Sequence, residues 1–114
     1  HADAALALAR LLIADGRGDE ADAVLANVAG SFAADGLRAR LKLEHDAALA
    51  SAFQALDEGA TERGLDQLVQ AVAASADSDR RTSLRAVIVG ELDALGVAHP
   101  LARETRRKLA SALY

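Results

Sequence analysis

The stretch Asp46-Ala-Ala-Leu-Ala-Ser-Ala-Phe-Gln-Ala-Leu-Asp-Glu58, then Gly59-Ala60, then Thr61-Glu-Arg-Gly-Leu-Asp-Gln-Leu-Val-Gln-Ala-Val72, decides the fold. Its second half places Leu65, Leu68, Val69 and Val72 at i, i+3, i+4, i+7, the spacing of one apolar helix face. Thr61 stands where a side-chain oxygen can cap that helix's free amides. Glu62 lies near the positive end of the helix dipole, where negative charge is favoured. Gly59 suits the left-handed residue that ends the first half. Ala52 and Gly64 are small enough for two helices to approach closely. The stretch therefore predicts a helical hairpin over about 46–75.

The same unit recurs upstream. Residues 2–32 read as a hairpin whose first helix carries Leu6, Ala9, Leu12 and Ile13 on one side. Asp15-Gly-Arg-Gly18 makes the turn, and Asp19 is expected to cap a second helix that buries Ala21, Val24, Leu25, Val28 and Phe32. Leu6 corresponds to Leu49, Ala9 to Ala52, Ile13 to Leu56, Gly16 to Gly59, Ala21 to Gly64 and Leu25 to Leu68. In the second helices a shift of one residue aligns the apolar stripes equally well. The spacing exceeds the roughly 34 residues of a tetratricopeptide unit, so something is inserted between the copies. Asp35-Gly36 followed by Leu37-Arg-Ala-Arg-Leu-Lys-Leu-Glu44 supplies a short extra helix over about 36–44. No Gly or Pro separates it from the central hairpin. A break at His45-Asp46 and one continuous helix are both open, and the continuous form puts His45 on the stripe of Leu41, Leu49 and Ala52.

Downstream, Ala76-Asp-Ser-Asp79 is a polar loop rich in capping residues. Leu84, Val87, Ile88, Leu92 and Leu95 then form the most aliphatic stripe in the chain. Gly96 ends that helix, and Pro100 fits the first position of the last one, where its missing amide costs nothing. The last helix puts Leu101, Thr105, Leu109 and Leu113 on one side, with Arg103, Arg106, Arg107 and Lys108 on the flanks. This third hairpin spans about 79–114. Hairpins of this kind bury their faces only when stacked. The expectation is one all-α domain over 1–114, a right-handed α-solenoid of six to seven helices.

Composition narrows the chemistry. Of 114 residues 52% are apolar, mostly Ala and Leu, with a single Pro. That is too apolar for a disordered chain and too rich in helix formers for a sheet protein. The chain has no cysteine, hence no disulfide, thiolate nucleophile or cysteine-based zinc site. No apolar run reaches the length of a membrane span. No signal peptide is evident, although a first residue of His rather than Met points to a fragment or processed form. The formal net charge of -4 argues against a general polyanion binder.

Catalytic and ligand motifs have plainer readings. Gly16-Arg-Gly-Asp-Glu-Ala21 matches a loose dinucleotide pattern, but a helix rather than a strand precedes it, and a turn explains both glycines. Asp77-Ser-Asp79 starts like a calcium loop, yet Arg81 stands at the third ligand position, so helix capping is the better account. His1, His45 and His99 are scattered and form no metal-binding pair. No enzymatic role, cofactor or metal is expected. The basic cluster on the last helix reads first as a solvated flank and second as a partner-docking surface. It lacks the Asn, Gln or aromatic companions of a base-reading surface, so no nucleic-acid partner is expected.

The central hairpin resembles a degenerate tetratricopeptide repeat. Ala52, Gly59, Gly64, Leu68 and Ala71 fill the small, turn, small, large and small positions, while Ala48 and Ala55 replace the usual aromatics and Ala76 the closing Pro. The C-terminal third is more specific. Arg81-Thr-Ser-Leu-Arg-Ala-Val-Ile-Val-Gly-Glu-Leu-Asp-Ala-Leu-Gly96 and His99-Pro-Leu-Ala-Arg-Glu-Thr-Arg-Arg-Lys-Leu-Ala-Ser-Ala-Leu-Tyr114 resemble the carboxy-terminal end of the bacterial YbbN-type thioredoxin-like proteins, the chaperedoxins. In that family a thioredoxin-fold domain precedes the repeats, and this chain does not contain one. The resemblance implies the protein-binding module of a cytoplasmic holdase and co-chaperone, with unfolded clients and the chaperonin as partners. It also allows a domain that positions substrates for a thioredoxin-type enzyme of cell redox homeostasis. In the family the last helix is the chaperonin contact, which points to Arg103, Arg106, Arg107, Lys108 and Tyr114 as partner-binding residues.

Overall fold

Helices in this chain begin where a side chain or a tight turn satisfies the free amides of the first turn. In the computed structural model, which describes residues 2–114, seven α-helices succeed one another. They are α1 (Ala2–Ala14), α2 (Gly18–Leu25), α3 (Phe32–Lys42), α4 (Ala50–Asp57), α5 (Thr61–Ala74), α6 (Ser78–Leu95) and α7 (Pro100–Leu113), with a 3-10 turn at Ala47–Leu49 before α4. His1, one of the three histidines considered above, lies outside the described residues. The all-α expectation holds.

Several local expectations change. Ser31 Oγ accepts a hydrogen bond from Ala34 N at 3.2 Å, so the extra helix starts at Phe32, ahead of the expected 36. Phe32 is therefore the first residue of α3 and is 64% exposed; it does not belong to the buried stripe of α2, which stops at Leu25. Arg38 donates to the carbonyl of Leu25, which also accepts from Val28 N, and to that of Val28, so it ties α3 to the turn that follows α2. Asp19 does not cap α2, because the helix already begins at Gly18; Arg17 holds the cap position and pairs instead with Glu20. Thr61 likewise lies inside α5. Ala60 N donates to Ala55 O at 2.8 Å, which closes the turn one residue earlier.

Between α3 and the central hairpin the chain breaks. Asp46 Oδ1 accepts from Ala48 N at 3.1 Å and starts the 3-10 turn, which a continuous helix would not allow. His45 consequently leaves the apolar stripe, its side chain 94% exposed beside Glu44.

Packing follows the small residues. α1 with α2 and α4 with α5 form hairpins that turn at Gly16 and Gly59, both with positive φ (77° and 83°). Gly64 lies so close to α4 that a Cβ there would come 2.9 Å from Leu56 Cγ and 3.1 Å from Ala52 O. The third pair departs from the expected hairpin. α6 packs chiefly along α3 and also on α5, α7 packs on α5, and the backbones of α6 and α7 run close over only a short stretch.

Two apolar clusters result. Ala9, Leu12, Ala21, Leu25 and Val28 surround Ala34 and Leu37 of α3. Leu49, Phe53, Leu65, Leu68, Val72, Leu84, Val87, Ile88 and Leu109 form the larger one, which takes in Ala39 and Leu43. Arg40 reaches from α3 to Asp57 of α4 at 2.8 Å, with its guanidinium 4.8 Å above the Phe53 ring. Each fully buried Leu, such as Leu65 or Leu68, contributes about 1.5–3 kcal/mol.

Candidate functional site

The last helix is held firmly enough to present its flanks. Pro100 occupies the first turn, and His99 Nδ1 accepts from Leu101 N at 3.1 Å. Ala102, Thr105 and Leu109 are buried. These anchors fix the rotation of α7 and therefore the direction of every cation on it.

The sequence cluster separates into three environments. Lys108 turns toward α5, where Nζ donates to Asp66 Oδ1 at 3.0 Å; that bond raises the lysine's pKa above its ordinary value. Arg107 pairs with Glu104 one turn away, which raises the arginine's pKa and lowers that of the carboxyl, chiefly through their hydrogen bond. The Arg103 side chain is exposed and makes no hydrogen bond or ion pair among the described residues. Arg106 faces the other way, into a groove between α6 and α7, and Tyr114, 98% exposed, stands at the same groove.

That groove opens where α6, which packs chiefly along α3, and α7, which packs on α5, come together only in part. It has a volume of about 450 Å³. Val89 and Leu92 from α6, with Leu109, Ala110 and Leu113 from α7, give it an apolar floor. Phe32, Val97 and Tyr114 border it, three of the five large apolar side chains that are exposed among the described residues. Arg85, Asp93 and Arg106 supply its charges.

Sequence reasoning named Arg106 and Tyr114 but missed Phe32, Arg85 and Val97. The signal for Arg85 was available: Arg85, Val89, Leu92 and Asp93 fall at i, i+4, i+7 and i+8, one helix face. For Phe32 the signal is Ser31, whose cap makes Phe32 the first residue of α3 and turns it out of the buried stripe.

Elsewhere the motifs fall to structural roles. Asp77 caps α6, its Oδ1 accepting from Arg80 N at 3.1 Å. Gly16 lies in the turn between α1 and α2, and Gly18 is the first residue of α2. Among the described residues no three His, Asp or Glu side chains gather into a metal site, and no helix is long and apolar enough to cross a membrane.

A family model described as tetratricopeptide repeat matches residues 33–114, from the start of α3 through α7. The chain belongs to the tetratricopeptide repeat family. Searches of curated proteins and of solved structures found no match. Tetratricopeptide domains generally mediate protein–protein interaction and are typically non-catalytic. The matched span contains every cation of α7 and all of the groove but Phe32, whereas α1 and α2 precede it.

Proposed function

We propose that this tetratricopeptide domain is the protein-binding module of a thioredoxin-family holdase and co-chaperone of the YbbN type. Its partners are unfolded clients and the chaperonin, in the cytoplasm. The reading is supported by the likeness of His99–Tyr114 to the end of that family. The single observation that carries it is the outward face of α7, where Arg103 makes no side-chain bond and Arg107 is exposed, with Tyr114 almost wholly solvent-facing at the end of the helix, where the groove begins. Such a surface suits docking, since Arg and Tyr are the residues most often found at binding hot spots. Arg103, Arg107 and Tyr114 carry the contact and Arg106 borders it. Lys108, tied to Asp66, orients the helix.

The test is capture of purified chaperonin by the immobilised domain. Deleting α7 would strip cover from α5 and confound the result, so surface exchanges are used. Arg103→Glu with Arg107→Glu is expected to weaken capture about tenfold while the helical circular dichroism stays unchanged. Capture unaltered by the exchange overturns the docking surface. If the domain instead positions substrates for a redox enzyme, the full-length protein will reduce insulin and the exchange will raise KM in that assay without affecting capture.

A further inference from the structure

We infer that the groove between α6 and α7 receives an acidic amphipathic helix from a partner protein. The inference rests on the reading of the domain as a protein-binding module, but it uses a different surface from the outward face of α7.

Shape argues for a helix. The lining positions recur at helical spacing on both sides, 85, 89, 92 and 93 on α6 and 106, 109, 110 and 113 on α7. Two helices that diverge above a shared apolar floor leave room for the apolar stripe of a third, the helix-in-groove mode of recognition. No strand edge exists among the described residues to pair with an extended peptide. α7 has 14 residues, about 21 Å of helix, so the occupant presents roughly three to four turns.

Charge selects the sign of the occupant. Arg85 and Arg106 line the groove, and Arg81 lies beside Arg85 and Leu113 in the depression that continues it. None of the three makes an ion pair or side-chain hydrogen bond among the described residues, unlike Arg10, Arg17, Arg40, Arg80 and Arg107. Asp93 is the one carboxylate in the lining. A chain of net charge -4 thus gathers free guanidiniums around Phe32, Val97 and Tyr114, three of its five exposed large apolar side chains among the described residues. Arginine presents five donors in a planar fork suited to carboxylates, so Glu or Asp flanking an apolar stripe complements this rim.

The experiment uses a fluorescein-labelled, amidated peptide of about 14 residues with Leu on one helical face and Glu on the flanks. The same peptide with Lys for Glu is the comparison. Binding to the full chain is followed by fluorescence anisotropy at about 50 and 300 mM salt. The Glu peptide is expected to bind at least about tenfold tighter than the Lys peptide, to weaken with salt, and to lose its advantage against Arg85→Glu with Arg106→Glu. A second variant, Leu113→Ser, is expected to weaken both peptides.

Equal binding of the two peptides, no binding of the Glu peptide, or binding indifferent to the double exchange overturns the proposal. So does a dimer in sedimentation that the double exchange dissolves and that excludes the Glu peptide, since a second copy would then fill the groove. Chaperonin capture that still depends on Arg103 and Arg107 when the peptide fails to bind would sink the groove and leave the proposed function standing.

Discussion

Arg10 of α1 donates through Nη1 to Glu91 Oε1 of α6 at 2.8 Å, joining helices that begin more than seventy residues apart. The Glu91 residue is only 8% exposed, so its carboxylate depends on that partner. Truncating Arg10 leaves a largely buried charge unmatched, which costs more than the ion pair itself contributes. Arg10→Ala is expected to lower stability by about 1–3 kcal/mol in urea denaturation. Adding Glu91→Ala to it should recover part of the loss. Strict additivity of the two substitutions would show that the pair is not coupled.

The crossing of α3 and α6 makes a second prediction. A Cβ at Gly36 would stand 2.9 Å from both Ala86 O and Gly90 Cα, and one at Gly90 would stand 2.8 Å from Phe32 O. These are backbone atoms and cannot rotate away. Gly→Ala within a helix gains about 1 kcal/mol of propensity, but overpacking of this kind costs about 1–3 kcal/mol. Gly36→Ala and Gly90→Ala should each destabilise the chain on balance. The double substitution should cost less than their sum, because the first already separates the helices. Thermal melts of the three variants decide it.

How far the fold was legible depended on how local its causes were. The stripe Leu65, Leu68, Val69 and Val72 lies within three turns, and all four residues are buried as read. Pro100 at the start of α7 and Gly59 in its turn needed only their own neighbours. The pairing of α6 with α3 was not legible. It is set by Gly36 meeting Gly90, two glycines whose mid-helix positions look unfavourable until their contact is known. α6 buries residues toward two neighbours at once, so its pattern does not point to one partner. The basic cluster of α7 shows the same limit. The sequence grouped Arg106, Arg107 and Lys108, and helix rotation sent them to a groove, to Glu104 and to Asp66.

Asp46 predicts a pH dependence. It caps the 3-10 turn and accepts from Arg80 Nε at 2.9 Å, and the Arg80 hydrogen bond leads in lowering its carboxyl pKa. A carboxyl whose folded pKa lies below its unfolded value contributes stability above the unfolded pKa and loses it as pH falls through the folded one. The stability gap between the parent chain and Asp46→Asn should therefore be full above about pH 5 and shrink below about pH 4. Urea midpoints measured across that range test it, and a gap independent of pH would refute the linkage.

Thr105 offers a stabilising change. Its hydroxyl is buried without a hydrogen-bond partner, and the residue is 1% exposed on the face of α7 that meets α5. Valine has nearly the same shape and no polar atom to desolvate. Thr105→Val is expected to be neutral or to stabilise by up to about 1 kcal/mol, read as a rise of a few degrees in Tm. A fall in Tm would mean that the hydroxyl is satisfied in solution.

In a simple array each layer leans only on the next, so heat can peel it from an end. Here one side of α3, with Ala34, Leu37 and Leu41, belongs to one apolar cluster, while Ala39, and Leu43 just past its end, belong to the other, and α6 packs along it. Unfolding of α3 would expose both clusters at once, so the chain is expected to melt in a single transition, with equal calorimetric and van't Hoff enthalpies.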